Sequence, residues 1–157
     1  MNLMLIGGGQ LIAPSHQVIN RHVFQLTTHV PHIVFLPTAS RDERLYQQQF
    51  RSTYESLGAT FSIVTLFDDN QTIDTQRQLL QHADIIYVGG GHYPLLVKTL
   101  EDTGMDVLLK QAVERGTSVS VLGQFIRWNT GFTRQKVVTI TVLIQDKAGS
   151  EAVSVRI

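Results

Sequence analysis

Up to Leu122, short apolar runs alternate with longer stretches whose apolar residues recur every three or four positions. Leu3–Ile6, Ile33–Leu36, Phe61–Leu66, Ile85–Val88 and Thr117–Leu122 read as strands. Between them, a helix begins at Pro14-Ser15 and carries Val18, Ile19, His22, Val23 and Leu26 at helical spacing. A second presents Leu45, Phe50, Tyr54 and Leu57 on one face and stops at Gly58. Helices are also predicted over Thr72–His82, with Ile73, Leu79 and Leu80 inward, over Pro94–Leu100, and over Asp106–Arg115 with a stop at Gly116. The strands are apolar on both faces, as in a parallel sheet sandwiched between helices. The predicted fold is therefore α/β: a three-layer αβα sandwich with a mostly parallel, flavodoxin-like sheet.

After Phe125 the texture changes. Val137–Ile144 is a long β run, Asp146–Ser150 a turn signal and Ala152–Val155 another strand, with no helix after the fifth strand. This reads as a hairpin on the sheet edge or as a poorly ordered tail. The predicted division is an α/β domain over 1–125 and an atypical β-rich tail of the same domain over 126–157.

Composition narrows the function classes. The 157 residues suit one domain with a real core. Thirteen basic and thirteen acidic side chains cancel, which gives no electrostatic footprint for nucleic acid or an anionic membrane. Without Cys there is no disulfide, no thiolate metal site and no cysteine nucleophile. Met1–Ile6 reads as a first strand rather than a leader, and no apolar run approaches the ~18 residues of a membrane span. The expectation is a soluble cytoplasmic protein with no cofactor, no metal, and neither nucleic acid nor membrane as a partner.

The chemistry-bearing stretch is Val88-Gly89-Gly90-Gly91-His92, where a strand runs into three residues without a Cβ. Such a loop suits a backbone that approaches something closely or aims several N–H groups at one point. Gly89, Gly90, Gly91 and His92 are thus candidates for an oxyanion hole or a substrate crevice at a strand's carboxyl end. The run is neither G-x-G-x-x-G nor a phosphate loop with Lys-Ser/Thr, so both nucleotide fingerprints fail. His92 is a candidate general base or a polar surface residue. Gly7-Gly8-Gly9 follows the first strand and either lines the same crevice or makes room for its loops. Ser40 or Asp42 is expected to cap the next helix, with Glu43 in its first turn. His16, His22, His29, His32 and His82 show no ligand-like pairing, and Pro31 separates His29 from His32. Arg127-Trp128 suggests a core or lid contact from Trp128 beside a solvated Arg127.

Leu3–Gly9, Phe35-Leu36-Pro37-Thr38-Ala39-Ser40, Tyr54–Ala59, Ala83–Gly91 and Glu114-Arg115-Gly116-Thr117 occur in an order that resembles the peptidase E / cyanophycinase family of serine peptidases (family S51). The likeness covers about residues 1–122. It implies a class I glutamine amidotransferase-like fold and hydrolysis of small, notably aspartyl, peptides. It also implies a serine on a G-x-S-x-G elbow directly after the fifth strand, and backbone N–H groups near Gly90 forming the oxyanion hole.

The chain departs from that pattern where the reaction would occur. The family has Asn after its glycines, and this chain has His92. Counting from the glycine loop places the serine slot at Gly123, within Val121-Leu122-Gly123-Gln124-Phe125; a one-residue slide that aligns Ile126 and Trp128 places it at Leu122. Neither supplies an oxygen nucleophile, Ser118 and Ser120 lie inside the strand, and no His follows His92. A serine needs a base and a group to orient that base. The expectation is a truncated or frameshifted member, in which a shift near codon 118, a degraded paralogue and a repurposed domain are the open explanations. Three readings follow: a serine hydrolase by descent that is inactive as written, a non-catalytic binding domain that keeps the glycine-lined crevice, and a truncated remnant with no selected activity. The expected partner is a small peptide or carboxylate, with a homodimer through an open sheet edge as a further possibility.

Overall fold

The computed structural model describes the backbone over residues 2–7, 10–68, 70–122, 139–146 and 149–156. Its elements in chain order are β1 (Asn2–Gly7), α1 (Gln17–Phe24), β2 (His32–Leu36), α2 (Arg44–Ser56), β3 (Thr60–Ile63), α3 (Ile73–Gln81), β4 (Ile85–Val88), α4 (Tyr93–Thr103), α5 (Met105–Arg115), β5 (Ser118–Leu122), β6 (Thr139–Asp146) and β7 (Gly149–Arg156). Short 3₁₀ turns at Pro14–His16 and Thr38–Ser40 lead into α1 and follow β2.

One sheet of seven strands has the order β3-β2-β4-β5-β1-β6-β7. β1 to β6 pair in parallel, with Leu3 opposite Val119, Ile33 opposite Ile85, and Ile86 opposite Val119. β7 returns antiparallel on β6, so the C-terminal β segments form a hairpin on the sheet edge. Side chains alternate between two cores, as strand geometry requires. Ile33 and Phe35 of β2 and Ile85 and Tyr87 of β4 join Ile19, Val23, Phe50 and Tyr54 under α1 and α2. Val34, Leu36, Ile86 and Val88 join Leu80, Leu96, Leu100, Met105 and Leu109 under α3, α4 and α5. The three-layer α/β sandwich with a mostly parallel sheet is therefore present. Among the described residues no helix is long and apolar enough to cross a membrane.

Several boundaries and faces differ from the sequence expectation. β3 ends at Ile63 rather than Leu66 because side chains take the next backbone donors: Gln71 accepts from Thr65 N–H, and Asp42 accepts from Leu66 and Phe67 N–H. Phe50 and Tyr54 are buried as expected, but Leu45 is 57% exposed, and Tyr46 instead continues their stripe at the four-residue spacing of one helix face. Val18 and Ile73 also face outward, at 50% and 44% exposed. Their inward places belong to Asn20 and Gln76, polar residues made tolerable in the core because they donate to the Leu11 and Thr65 carbonyls.

Candidate functional site

The sheet order determines where a ligand can enter. β2 continues through α2 outward to β3, whereas its neighbour β4 continues through α4 and α5 in the other direction to β5. The two connections leave on opposite faces, so the carboxyl ends of β2 and β4 open a crevice at a topological switch point. The loops there are Pro37–Asp42 and Gly89–His92.

After β2 the chain makes a tight turn, with Ser40 N–H donating to the Pro37 carbonyl at 3.0 Å and Arg41 N–H to the Thr38 carbonyl at 3.1 Å. Arg41 and Asp42 both adopt left-handed backbone, with φ of 57° and 56°. Two successive non-glycine residues there are costly and are held by what Asp42 does next. Its buried Oδ2 accepts from Leu66 N–H at 2.6 Å and Phe67 N–H at 2.7 Å. Burial raises the Asp42 pKa, and those two donors oppose the shift without cancelling it. The expectation that Ser40 or Asp42 caps α2 is thereby corrected. Ser40 Oγ donates back to the Pro37 carbonyl, Asp42 ties down the loop after β3, and Glu43 sits at the N-cap with no side-chain hydrogen bond.

Each glycine of the loop after β4 has its own steric reason. A Cβ on Gly89 would meet the Tyr46 ring at 2.9 Å and Phe35 at 3.0 Å. A Cβ on Gly90 would lie 3.2 Å from the Leu122 carbonyl oxygen at the end of β5. A Cβ on Gly91, whose φ is +149°, would overlap the Ala39 carbonyl outright. The donors are specific too: Gly89 N–H to the Leu36 carbonyl at 2.9 Å, Gly90 N–H to the Tyr46 hydroxyl at 3.2 Å, and His92 N–H to the Ala39 carbonyl at 2.8 Å. The two loops are thus stitched into one wall.

His92 is the N-cap of α4, its Nδ1 accepting from Leu95 N–H at 3.2 Å. It borders a cleft of about 610 Å³ shared with Ser40, Arg41, Leu95 and Lys98. Arg41 lays its guanidinium over the Phe67 ring at 5.8 Å. Lys98 pairs with Asp102 at 2.6 Å, and that hydrogen bond and charge raise its pKa. The cleft rim is therefore cationic through Arg41 and, less strongly, through Lys98.

Other sequence candidates lie elsewhere. Ser118 and Ser120 are 5% and 0% exposed inside β5, and Ser120 stands opposite Tyr87 and Met4 in mid-sheet, so neither reaches the crevice. His29 pairs with Asp84 at 3.3 Å at the opposite, amino end of the sheet. His22, His32 and His82 bond to neighbouring backbone or hydroxyl groups. Among the described residues no three His, Asp or Glu side chains gather as metal ligands. Gly8, Gly9, the slot at Gly123, and Arg127-Trp128 lie outside the described residues. Tyr46 was missed by the sequence reading; the four-residue spacing Tyr46-Phe50-Tyr54 was the signal that could have found it.

The chain matches peptidase family S51 over residues 3–121 and belongs to that family. It is 30% identical over 115 residues to the uncharacterized peptidase YgaJ of Bacillus subtilis (strain 168), a match that spans 73% of this chain and 49% of that protein. Two solved structures share the fold at 19% identity. A putative peptidase E protein from Listeria monocytogenes EGD-e has a TM-score of 0.60, covering 76% of this chain and 58% of the other. A peptidase from an acI-B1 Actinobacterium has a TM-score of 0.63, covering 76% and 52%. The chain thus spans about half the length of these relatives.

Proposed function

We propose that the crevice between the ends of β2 and β4 binds small peptides through their carboxylates, and that these 157 residues do not themselves perform serine-type cleavage. The observation that carries this reading is a glycine loop stitched to the Ala39 turn beside the end of β5 at Leu122, in a sequence whose Val121-Leu122-Gly123-Gln124-Phe125 stretch contains no oxygen nucleophile. Membership of a peptidase family supports a peptide as the ligand. The Arg41 and Lys98 rim supports an acidic one, since guanidinium and ammonium groups favour carboxylates. Where serine and base are both missing, oxyanion-hole assistance alone leaves about 10³-fold over water, too little for a useful peptidase. The cysteine-free composition fits a cytoplasmic setting.

Calorimetry with the dipeptide Asp-Leu, and with Leu-Leu as control, tests the binding; product analysis on the same samples tests the chemistry. The expected result is binding of Asp-Leu in preference to Leu-Leu, weakened on the order of tenfold by Arg41→Ala, with no enzymatic release of aspartate. Absence of binding overturns the ligand assignment. Release of aspartate at peptidase rates overturns the claim about cleavage.

A further inference from the structure

Tyr46, in the first turn of α2, packs against the glycine loop after β4. Its ring fills the space a Gly89 side chain would need and packs edge-on against Phe35 at 5.1 Å between centroids. Its hydroxyl accepts from Gly90 N–H at 3.2 Å, and Gly90 in turn lies against the Leu122 carbonyl at the end of β5. The Gly90 N–H, expected to serve an oxyanion hole, is therefore already engaged. A phenol accepts at oxygen and donates one hydrogen. Among the described residues the bond from Gly90 is the only hydrogen bond of the Tyr46 hydroxyl, which leaves its own hydrogen without an acceptor. An N–H that donates to a hydroxyl polarises it and strengthens the bond it can donate.

We propose that Tyr46 is a substrate-touching donor: Gly90 N–H fixes the phenol oxygen, and the phenol hydrogen is given to the carbonyl oxygen of a bound peptide. This rests on the reading of the crevice as a peptide site. The loop then acts through a side chain, with Gly90 positioning Tyr46 rather than meeting the peptide oxygen itself. Burial pushes the Tyr46 pKa up to about 12, so the hydroxyl stays a donor across neutral pH.

The test compares Asp-Leu with its thioamide analogue, in which a weakly accepting sulfur replaces the peptide oxygen, on the full chain and its Tyr46→Phe variant. Tyr46→Phe is expected to weaken Asp-Leu about three- to tenfold while leaving the thioamide nearly unaffected, the loss of one neutral hydrogen bond. Equal weakening of both ligands, or of neither, overturns the proposal and leaves the peptide-binding reading standing. Failure of the unaltered chain to bind Asp-Leu overturns both. A second readout does not depend on the variant folding. The ring Cζ resonances of ¹³C-labelled tyrosine should move for one of the four tyrosines with Asp-Leu and much less with the thioamide. Indifference of all four to bound Asp-Leu overturns the assignment.

Discussion

The backbone of Gly91 lies so close to the Ala39 carbonyl that no side chain fits between them, while His92 N–H donates to that same carbonyl at 2.8 Å. This single contact joins the loop after β4 to the turn after β2 and so shapes the crevice. Gly91→Ala must move backbone rather than a flexible side chain, and does so from a φ of +149°. The expected loss is about 2–4 kcal/mol. Gly58, at φ +85° with nothing within 4 Å of its Cβ position, supplies the control: Gly58→Ala meets only the conformational cost of about 1 kcal/mol. Urea unfolding of the two variants measures the difference. Equal losses would mean that the Ala39 contact contributes nothing beyond backbone conformation.

Asp42 makes stability depend on pH in an unusual direction for a carboxylate. Its folded-state pKa is held above the ordinary 3.8, chiefly by burial, so the folded protein binds the proton more tightly than the unfolded chain. Its contribution is fully present below pH 3.8 and declines as pH rises through the raised folded value. Asp42→Asn keeps an acceptor for Leu66 and Phe67 and removes the titration. The stability of the unaltered chain relative to Asp42→Asn should therefore fall across that window and then level off. Asp42→Ala, which orphans both N–H groups, should lose about 2 kcal/mol or more. Urea titrations from pH 3.5 to 7 check both, and a relative stability that rises with pH contradicts the account.

Much of this fold was legible from periodicity, because strands buried on both faces leave few other arrangements. Ile85–Val88 was read without error, since all four residues are apolar and all four are buried. The faces of the helices were less legible wherever a polar side chain found a partner distant in sequence. Gln76 takes the inward place expected for Ile73 because Thr65 offers it a carbonyl, a fact absent from any local window. The same holds at the site: three glycines announced a close approach, but Tyr46, Leu122 and Ala39, the groups approached, come from three other segments. Asp42 read as a cap because its sequence position suits one, and its real partners lie 24 and 25 residues away.

Three of the four tyrosines should resist ionisation while the protein remains folded. Burial raises Tyr46 to about 12 and holds Tyr54 and Tyr87 well above the ordinary 10.0. Their contribution is intact below pH 10.0 and is lost as pH climbs through the folded values, since the unfolded chain releases these protons first. Alkaline titration followed by phenolate absorbance should show their ionisation arriving together with loss of helical circular dichroism. Phenolate signal from all three near pH 10 in a still-folded protein would contradict the packing of Tyr54 and Tyr87 in the α1–α2 core.

His92 is the residue on which the sequence left the choice between a base and a polar surface group, and a pair of substitutions separates its structural part. The ring works as a helix cap, Nδ1 accepting from Leu95 N–H, with Pro94 completing the first turn of α4. Asparagine is among the best N-cap residues and alanine among the worst, and the resemblance identified in the sequence places an asparagine after these glycines. His92→Asn should therefore hold stability within about 0.5 kcal/mol, whereas His92→Ala should lose about 1 kcal/mol. Because α4 anchors Leu96 and Leu100 in the core beneath it, the loss in the alanine variant should appear as global destabilisation in urea. Faster amide hydrogen exchange at Leu95, whose N–H would lose its acceptor, should accompany it. If the asparagine variant loses as much as the alanine variant, the cap is not what holds His92 in place, and the imidazole itself is required at the cleft.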